Sequence, residues 1–283
     1  MKEFAVSVKG LKKSYGKTQA LSGISFDVQK GEIVAFLGPN GAGKTTAINI
    51  LTGLTRQDEG EIYYGGKLFS PENLPSKKII GVAPQSNNLD RDLTAAENLA
   101  VHGILYGIRG KMLKKRIDEA LAVVGLTEQR NKPANDLSGG MKRRLVIARA
   151  LLHEPKALFL DEPSAGLDPV TRRNIHSLIR SLNQQDGVSV FLTTHYIDEA
   201  ETLSSRVIFI DKGEIVATGG AEELKSVMGR YAVEYIESGA QKIVYFGDRK
   251  SALSEAEKHG GNVKVRRVTL EDVYIKLTGK GLE

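Results

Sequence analysis

The spacing of apolar residues changes along the chain and separates strands from helices before any motif is read. Residues 6–11 and 23–28 carry strand patterns on either side of a turn at Tyr15-Gly16-Lys17. Residues 33–37 are apolar at every position, as in a strand covered on both faces. Beyond a run of small residues at 38–46, Ala47, Ile48, Ile50, Leu51 and Leu54 mark a buried helix with Gly53 as its stop. Residues 61–64 and 79–83 read as strands, the first entering a Gly65-Gly66 turn and the second stopping at Pro84-Gln85. The period then becomes helical. Thr94 and Glu97 form a capping-box pair at the head of a helix that runs towards Tyr106. Ile117, Ala120, Leu121 and Val124 recur at i, i+3, i+4 and i+7 ahead of Gly125, a residue suited to the C′ position. Met141, Leu145, Ala148 and Leu152 make one more apolar helix face.

Strand patterns return after Pro155. Residues 157–160 end in Asp161-Glu162 and residues 188–194 end at His195, with Ile175, Leu178, Ile179 and Leu182 forming a crossover-helix stripe between them. Residues 207–210 and 214–217 flank Asp211-Lys212-Gly213, a hairpin signature. Near Lys225 the register changes. Residues 231–235 and 263–268 alternate, a helical segment at 251–259 lies between them, and Thr269 with Asp272 caps a last helix through 273–277. The expectation is an α/β body with a helical insertion at about 86–153 and a small α+β appendage from 226 to 283.

Composition narrows this picture. The 283 residues suit one domain with something smaller attached. With 26% charged residues, no stretch reaches the ~18 uninterrupted apolar residues of a spanning helix. Residues 1–16 hold no apolar h-region, so no secretory signal is expected. The absence of cysteine excludes disulfides, thiolate catalysis and cysteine-based metal sites. A net charge of +6 could favour nucleic acid, phosphate ligands or an anionic membrane face, and reads first as a solvated surface with a modest cationic excess. The 30 glycines exceed the usual ~7% and gather where a phosphate cradle would need them.

Gly38-Pro39-Asn40-Gly41-Ala42-Gly43-Lys44-Thr45-Thr46 is such a cradle, a Walker A loop placed after a buried strand and before a helix. Small residues let backbone N–H groups curl round phosphate oxygens, and the helix N-terminus adds partial positive charge. Lys44 supplies a mobile cation to the phosphates and the Thr45 hydroxyl can ligate Mg²⁺. Asp161 closes an apolar strand, where its carboxylate can hold Mg²⁺ as in a Walker B element. Glu162 follows, suited to polarising the attacking water. His195 and Gln85 each follow a buried strand as well, and strand ends in a parallel sheet face one crevice. His195 is therefore a candidate for orienting γ-phosphate and water, and Gln85 for a Mg²⁺ or water ligand.

Leu137-Ser138-Gly139-Gly140-Met141 is a second anion-binding element, with Ser138 as N-cap and bare backbone at Gly139 and Gly140. One nucleotide already has its cradle, so the economical occupant is a γ-phosphate held by another protomer. Leu-Ser-Gly-Gly between a Walker A and a Walker B resembles the signature of the ABC-transporter ATPase family, and the resemblance spans about residues 4–224. It implies a P-loop NTPase core with a mixed sheet, an N-terminal antiparallel β subdomain, a helical signature subdomain and an ATPase domain over 1–225. It also implies that Tyr15 stacks on adenine, that Gln85 is the Q-loop glutamine, that residues 164–168 form the D-loop and that His195 is the switch histidine.

In family terms two chains sandwich two Mg-ATP, and separate transmembrane permease subunits dock near the segment after Gln85 and the helix from Ala95. The chain is then a peripheral ATPase on the cytoplasmic face of the cell membrane, a homodimer being permitted. Met141 stands where most of the family has Gln; the helix start is intact, so the phosphate contact is expected to persist. Ser-Gly-Gly-Met with Lys142-Arg143-Arg144-Leu145, residues 94–107 and residues 269–279 resemble the branch that exports drugs, lipids, polysaccharides or ions. The alternatives are an importer ATPase and a soluble ABC protein acting on ribosomes or DNA. Nucleic acid is not the expected partner, because a second Walker A and long coiled-coil insertions are both lacking.

Overall fold

The computed structural model describes residues 4–237, 239–259, 261, 263–279 and 281. The chain opens with a long hairpin, β1 (Phe4–Tyr15) and β2 (Thr18–Gln29), which turns through Gly16 and Lys17. Both strands run further than the patterns at 6–11 and 23–28 predict, because register shifts between them absorb the polar stretches beyond the alternating cores. Strand β3 (Ile33–Leu37) follows, buried throughout, and leads through the 38–43 loop into α1 (Lys44–Leu51). Strands β4 (Glu59–Tyr64) and β5 (Lys67–Leu68) join the hairpin in an antiparallel sheet of order β2-β1-β4-β5. Leu54 departs from expectation. It is 70% exposed, because α1 ends at Leu51 and Gly53, at φ 72°, turns the chain outward before the next residue.

The short α2 (Leu74–Lys77) precedes β6 (Ile80–Ala83). Three helices then build the helical region: α3 (Ala95–Leu105), α4 (Gly110–Val123) and α5 (Gly139–Leu151). Their shared core includes Leu99, Ile117, Leu121, Leu126, Leu145 and Leu152. The Thr94–Glu97 capping box is formed, and the loop ahead of it is pinned by buried Asn98, whose amide donates to the carbonyls of Asp90, Leu93 and Thr94. The chain returns through β7 (Ala157–Asp161), α6 (Pro169–Asp186), β8 (Ser189–Thr194), α7 (Ile197–Leu203), β9 (Arg206–Asp211), β10 (Glu214–Gly219) and α8 (Ala221–Ser226).

A six-stranded sheet of order β10-β9-β3-β8-β7-β6 organises the body, parallel except for the β9–β10 hairpin. Alternate residues of each strand feed opposite faces. Ile33, Ala35 and Leu37 pack under α5, α6 and α7, while Val34 and Phe36 pack towards α1 and the antiparallel sheet. On that second face Phe26, Phe36, Phe191 and Phe159 form a ring cluster with centroids 5.4–5.7 Å apart, and the Tyr64 hydroxyl donates to the carbonyl of Leu51. Each such ring contributes roughly 1.5–3 kcal/mol by burial. The two sheets are thus joined by packed aromatic surface.

Beyond α8, strands β11 (Tyr231–Glu237), β12 (Ala240–Phe246) and β13 (Lys264–Arg267) form an antiparallel sheet of order β12-β11-β13, with α9 (Arg249–Lys258) packed on it. Strand β12 is absent from the expected pattern, since Gln241 and Lys242 break its apolar alternation and all seven residues are at least partly exposed. The last helix, α10 (Leu270–Thr278), sends Leu270, Val273 and Tyr274 back into the main core, where the Tyr274 ring meets Phe209 edge-on at 5.5 Å.

Candidate nucleotide site

Strand order decides which loops meet. β3, β8, β7 and β6 are consecutive neighbours, and their register sets Leu37 opposite Thr194, Asp161 opposite Thr193 and Ala83 opposite Leu160. The loops that leave these strands therefore emerge level with one another at the C-terminal edge. They carry the Walker A segment, His195, Glu162 and Gln85.

The Walker A segment curls tightly. Gly43 caps α1 at φ 106°, and a Cβ there would lie 2.6 Å from the carbonyl oxygen of Ala20 on β2, so only glycine fits. Lys44 is 5% exposed and donates to the carbonyls of Gly38 at 2.7 Å and Pro39 at 3.0 Å. Burial pulls its ammonium below the ordinary value of 10.5, and the nearby charges of Glu162 and Asp161 oppose that pull. Gly38, Ala42 and Gly43 are buried, Asn40, Gly41 and Thr45 face outward, and Pro39 and Thr46 are half-buried.

Glu162 is the point where the predicted residues converge. Its Oε1 lies 3.1 Å from His195 Nδ1 and 3.7 Å from Lys44 Nζ, and its Oε2 accepts from Gln85 Nε2 at 3.1 Å. Its backbone sits at φ 45°, a left-handed conformation that costs a non-glycine residue about 1–3 kcal/mol. Its N–H is held by the carbonyl of Thr193 at 3.1 Å and the Thr193 hydroxyl at 3.2 Å. That hydroxyl in turn donates to Asp161 Oδ1 at 2.5 Å. Burial pushes the Asp161 carboxyl above its ordinary 3.8; the Thr193 hydrogen bond restrains the rise, Glu162 adds to it, and Arg143 and Lys44 lower it. Thr193 and Arg143 were not singled out by the sequence. Thr193 reads there as one more strand residue, and Arg143 only as part of the Lys142-Arg143-Arg144-Leu145 run that resembles the exporter branch.

The signature segment is separate. Ser138 caps α5, its hydroxyl accepting from the Met141 N–H at 3.2 Å. A Cβ on Gly140 would stand 2.4 Å from Thr171 Cγ2, whereas one on Gly139 would meet nothing within 4 Å. Gly139 is exposed, and among the described residues nothing stands close to that position. Among the described residues, no hydrogen bond or ion pair joins 138–140 to the Walker A segment, Gln85, Asp161, Glu162 or His195. Tyr15 ends β1, 50% exposed as a residue, with Lys13 Nζ 5.5 Å from its ring centroid. Asp168 caps α6 through the N–H groups of Val170 and Thr171.

Residues 21–165 match the family described as ABC transporter. This chain belongs to the ABC transporter family. It is 43% identical over 309 residues to the linearmycin resistance ATP-binding protein LnrL of Bacillus subtilis (strain 168), covering 98% of this chain and 99% of that protein. It is 35% identical over 304 residues to the Nod factor export ATP-binding protein I of Rhizobium sp. (strain N33), covering all of both. Among solved structures it is similar to the dimeric post-hydrolysis state of the ATP-binding cassette MJ0796 bound to ADP and Pi, at TM-score 0.68 and 33% identity over 76% of this chain and 98% of that one. The chain is accordingly an ABC-type ATPase, an ATP-binding subunit that hydrolyses ATP. No described helix is long and apolar enough to cross a membrane.

Proposed function

We propose that two copies of this chain bind two Mg-ATP between them and use closure and hydrolysis to drive export through separate transmembrane permease subunits. The observation that carries the reading is the meeting of Lys44, Gln85 and His195 on the carboxylate of Glu162. In this reading Gly38 to Thr46 wrap the phosphates with backbone N–H groups, Lys44 neutralises the β- and γ-oxygens, and Tyr15 stacks on adenine. Glu162 accepts a hydrogen bond from the attacking water and takes its proton as the water oxygen bonds to the γ-phosphorus. The bond from phosphorus to the β–γ bridging oxygen breaks, and ADP leaves with the electron pair. His195 holds the γ-phosphate and that water in line.

The donor set suits Mg²⁺. No group of three His, Cys, Asp or Glu gathers among the described residues. Mg²⁺ prefers one or two carboxylates completed by water and substrate phosphate. Asp161, oriented by Thr193, would supply the carboxylate, Thr45 a hydroxyl and Gln85 its amide oxygen, left available because its nitrogen faces Glu162. The ion would neutralise phosphate charge as it develops.

The open Gly139 backbone and the Ser138 cap at the head of α5 supply N–H groups to a γ-phosphate held by the partner. ATP binds the closed pair better than the open one, and this difference moves the docked permeases. The helical region at about 86–153 carries that docking, residues 1–225 form the ATPase domain, and residues 226–283 form an accessory unit. The full-length likeness to proteins named for linearmycin resistance and Nod factor export favours an exporter over an importer, peripheral on the cytoplasmic face of the membrane. Glu162→Gln tests the core of this reading. It is expected to retain ATP, to lose at least ~100-fold in turnover and to accumulate an ATP-bound dimer in size-exclusion chromatography. Unchanged turnover would remove Glu162 from the chemistry.

A further inference from the structure

Arg143 lies early in α5, the helix that Ser138 caps, yet it is 4% exposed. Its guanidinium makes no close ion pair among the described residues; it spends its N–H groups on backbone carbonyls. Nε donates to Pro163 O at 2.8 Å, Nη2 to Asp161 O at 2.9 Å and Nη1 to Pro84 O. Two of these carbonyls flank Glu162 on either side, and the third immediately precedes Gln85. The residue so bracketed is the one with the left-handed backbone, and Gln85 is the one that donates to its carboxylate. A strained backbone persists only where its surroundings over-determine it. Thr193 holds the Glu162 N–H from one side and Arg143 holds the neighbouring carbonyls from the other.

A planar fork with five N–H donors can serve three acceptors at once; a lysine ammonium on its flexible stem cannot reproduce that arrangement. Packing alone gives no reason to place a cation here, because an apolar side chain of similar volume would avoid the desolvation. The charge is instead tolerated beside Asp161, Glu199 and Glu162, whose field offsets the burial that pulls it down to about 10.

We propose that Arg143 is a positioning residue for hydrolysis: it fixes the backbone on both sides of Glu162 and ahead of Gln85, and ties both to the helix headed by Ser138. Movement of α5 on closure is thereby passed to the carboxylate that acts on water. The inference rests on the reading of Glu162 as the group that acts on water, and the test separates the two.

Steady-state ATPase rates of the full-length protein are measured for wild type, Arg143→Lys, Arg143→Gln, Glu162→Gln and the double variant Arg143→Gln/Glu162→Gln. Both Arg143 variants are expected to lower kcat roughly 10- to 100-fold, as for a small misplacement of a reacting group, with KM for ATP within about twofold of wild type. In the Glu162→Gln background the added Arg143→Gln change is expected to alter the residual rate less than about twofold, because the carboxylate it positions is gone. Arg143→Lys keeps the buried charge and part of the hydrogen bonding, so it reports on position even if the glutamine variant folds poorly. Wild-type kcat in Arg143→Lys would overturn the proposal. So would an equal loss in both backgrounds, or a rise in KM that accounts for the whole effect. Wild-type turnover in Glu162→Gln alone would instead overturn the Glu162 reading on which it stands.

Discussion

Adjacent glycines in the signature segment are glycine for different reasons, and the difference can be measured. Gly140 is confined by its own chain, since a Cβ there would collide with Thr171 at the start of α6. Among the described residues nothing lies within 4 Å of a Cβ on Gly139. Gly140→Ala is therefore expected to lower the thermal midpoint of the isolated protein, at a cost of about 1–3 kcal/mol from overpacking. Gly139→Ala is expected to leave that midpoint within experimental error and still reduce ATP turnover, because a methyl group would stand where the proposed composite site brings a partner's phosphate. Differential scanning fluorimetry alongside an ATPase assay distinguishes them. Normal turnover in Gly139→Ala would mean that this open backbone serves no ligand.

Helix α10 links the small C-terminal sheet to the main core. Thr269 and Asp272 form a capping box at its head, and Asp272 also accepts from both terminal nitrogens of Arg266 on β13, at 2.5 and 2.7 Å, and from the Tyr245 hydroxyl on β12 at 3.2 Å. Tyr274, one half-turn on, is buried against Phe209 of β9. One carboxylate thus fastens the small sheet to a helix that belongs to the main core. Burial alone would raise the Asp272 pKa; the Arg266 and Thr269 hydrogen bonds outweigh it and hold the group below its ordinary 3.8. A depressed carboxylate stabilises the fold above its unfolded value and loses that contribution as pH falls through the folded one. Asp272→Asn is expected to cost about 2 kcal/mol at pH 7, the worth of hydrogen bonds to a charged group. The gap between variant and wild-type midpoints should then close as pH drops below 3.8. Melting curves across that range would show a constant gap if the ion pair were idle.

At the scale of the whole molecule, the two segments proposed to bind phosphate stand on different elements. The Walker A segment leaves β3 in the sheet, while the signature heads α5, and no hydrogen bond or ion pair links them among the described residues. The proposed composite site of two copies is consistent with that separation and can be tested by complementation. Ser138→Arg and Lys44→Ala are each expected to abolish turnover alone. Mixed in equal amounts they should regain up to about a quarter of wild-type activity, since half the dimers are mixed and each of those keeps one intact site. Failure of cross-linked mixed dimers to regain any turnover would place the whole site within one chain.

Local chemistry by itself determined much of this protein. The glycines and lysine of 38–46, the carboxylates at 161–162 and the strand-end His195 are legible because phosphate binding demands particular residue types at particular spacings. The Thr94–Glu97 and Thr269–Asp272 caps are legible because their partners lie three residues apart. Only the tertiary structure decided that β3, β8, β7 and β6 lie side by side in one register, since strand neighbours are chosen by burial between residues far apart in sequence. It alone brought the Thr193 hydroxyl to the Asp161 carboxylate and Arg143 to the Asp161 carbonyl, contacts 32 and 18 residues apart in the chain. It also turned Leu54 outward and paired the half-exposed β12 with β11. Residue types named the groups that can handle a phosphate; long-range packing chose the one carboxylate on which they meet.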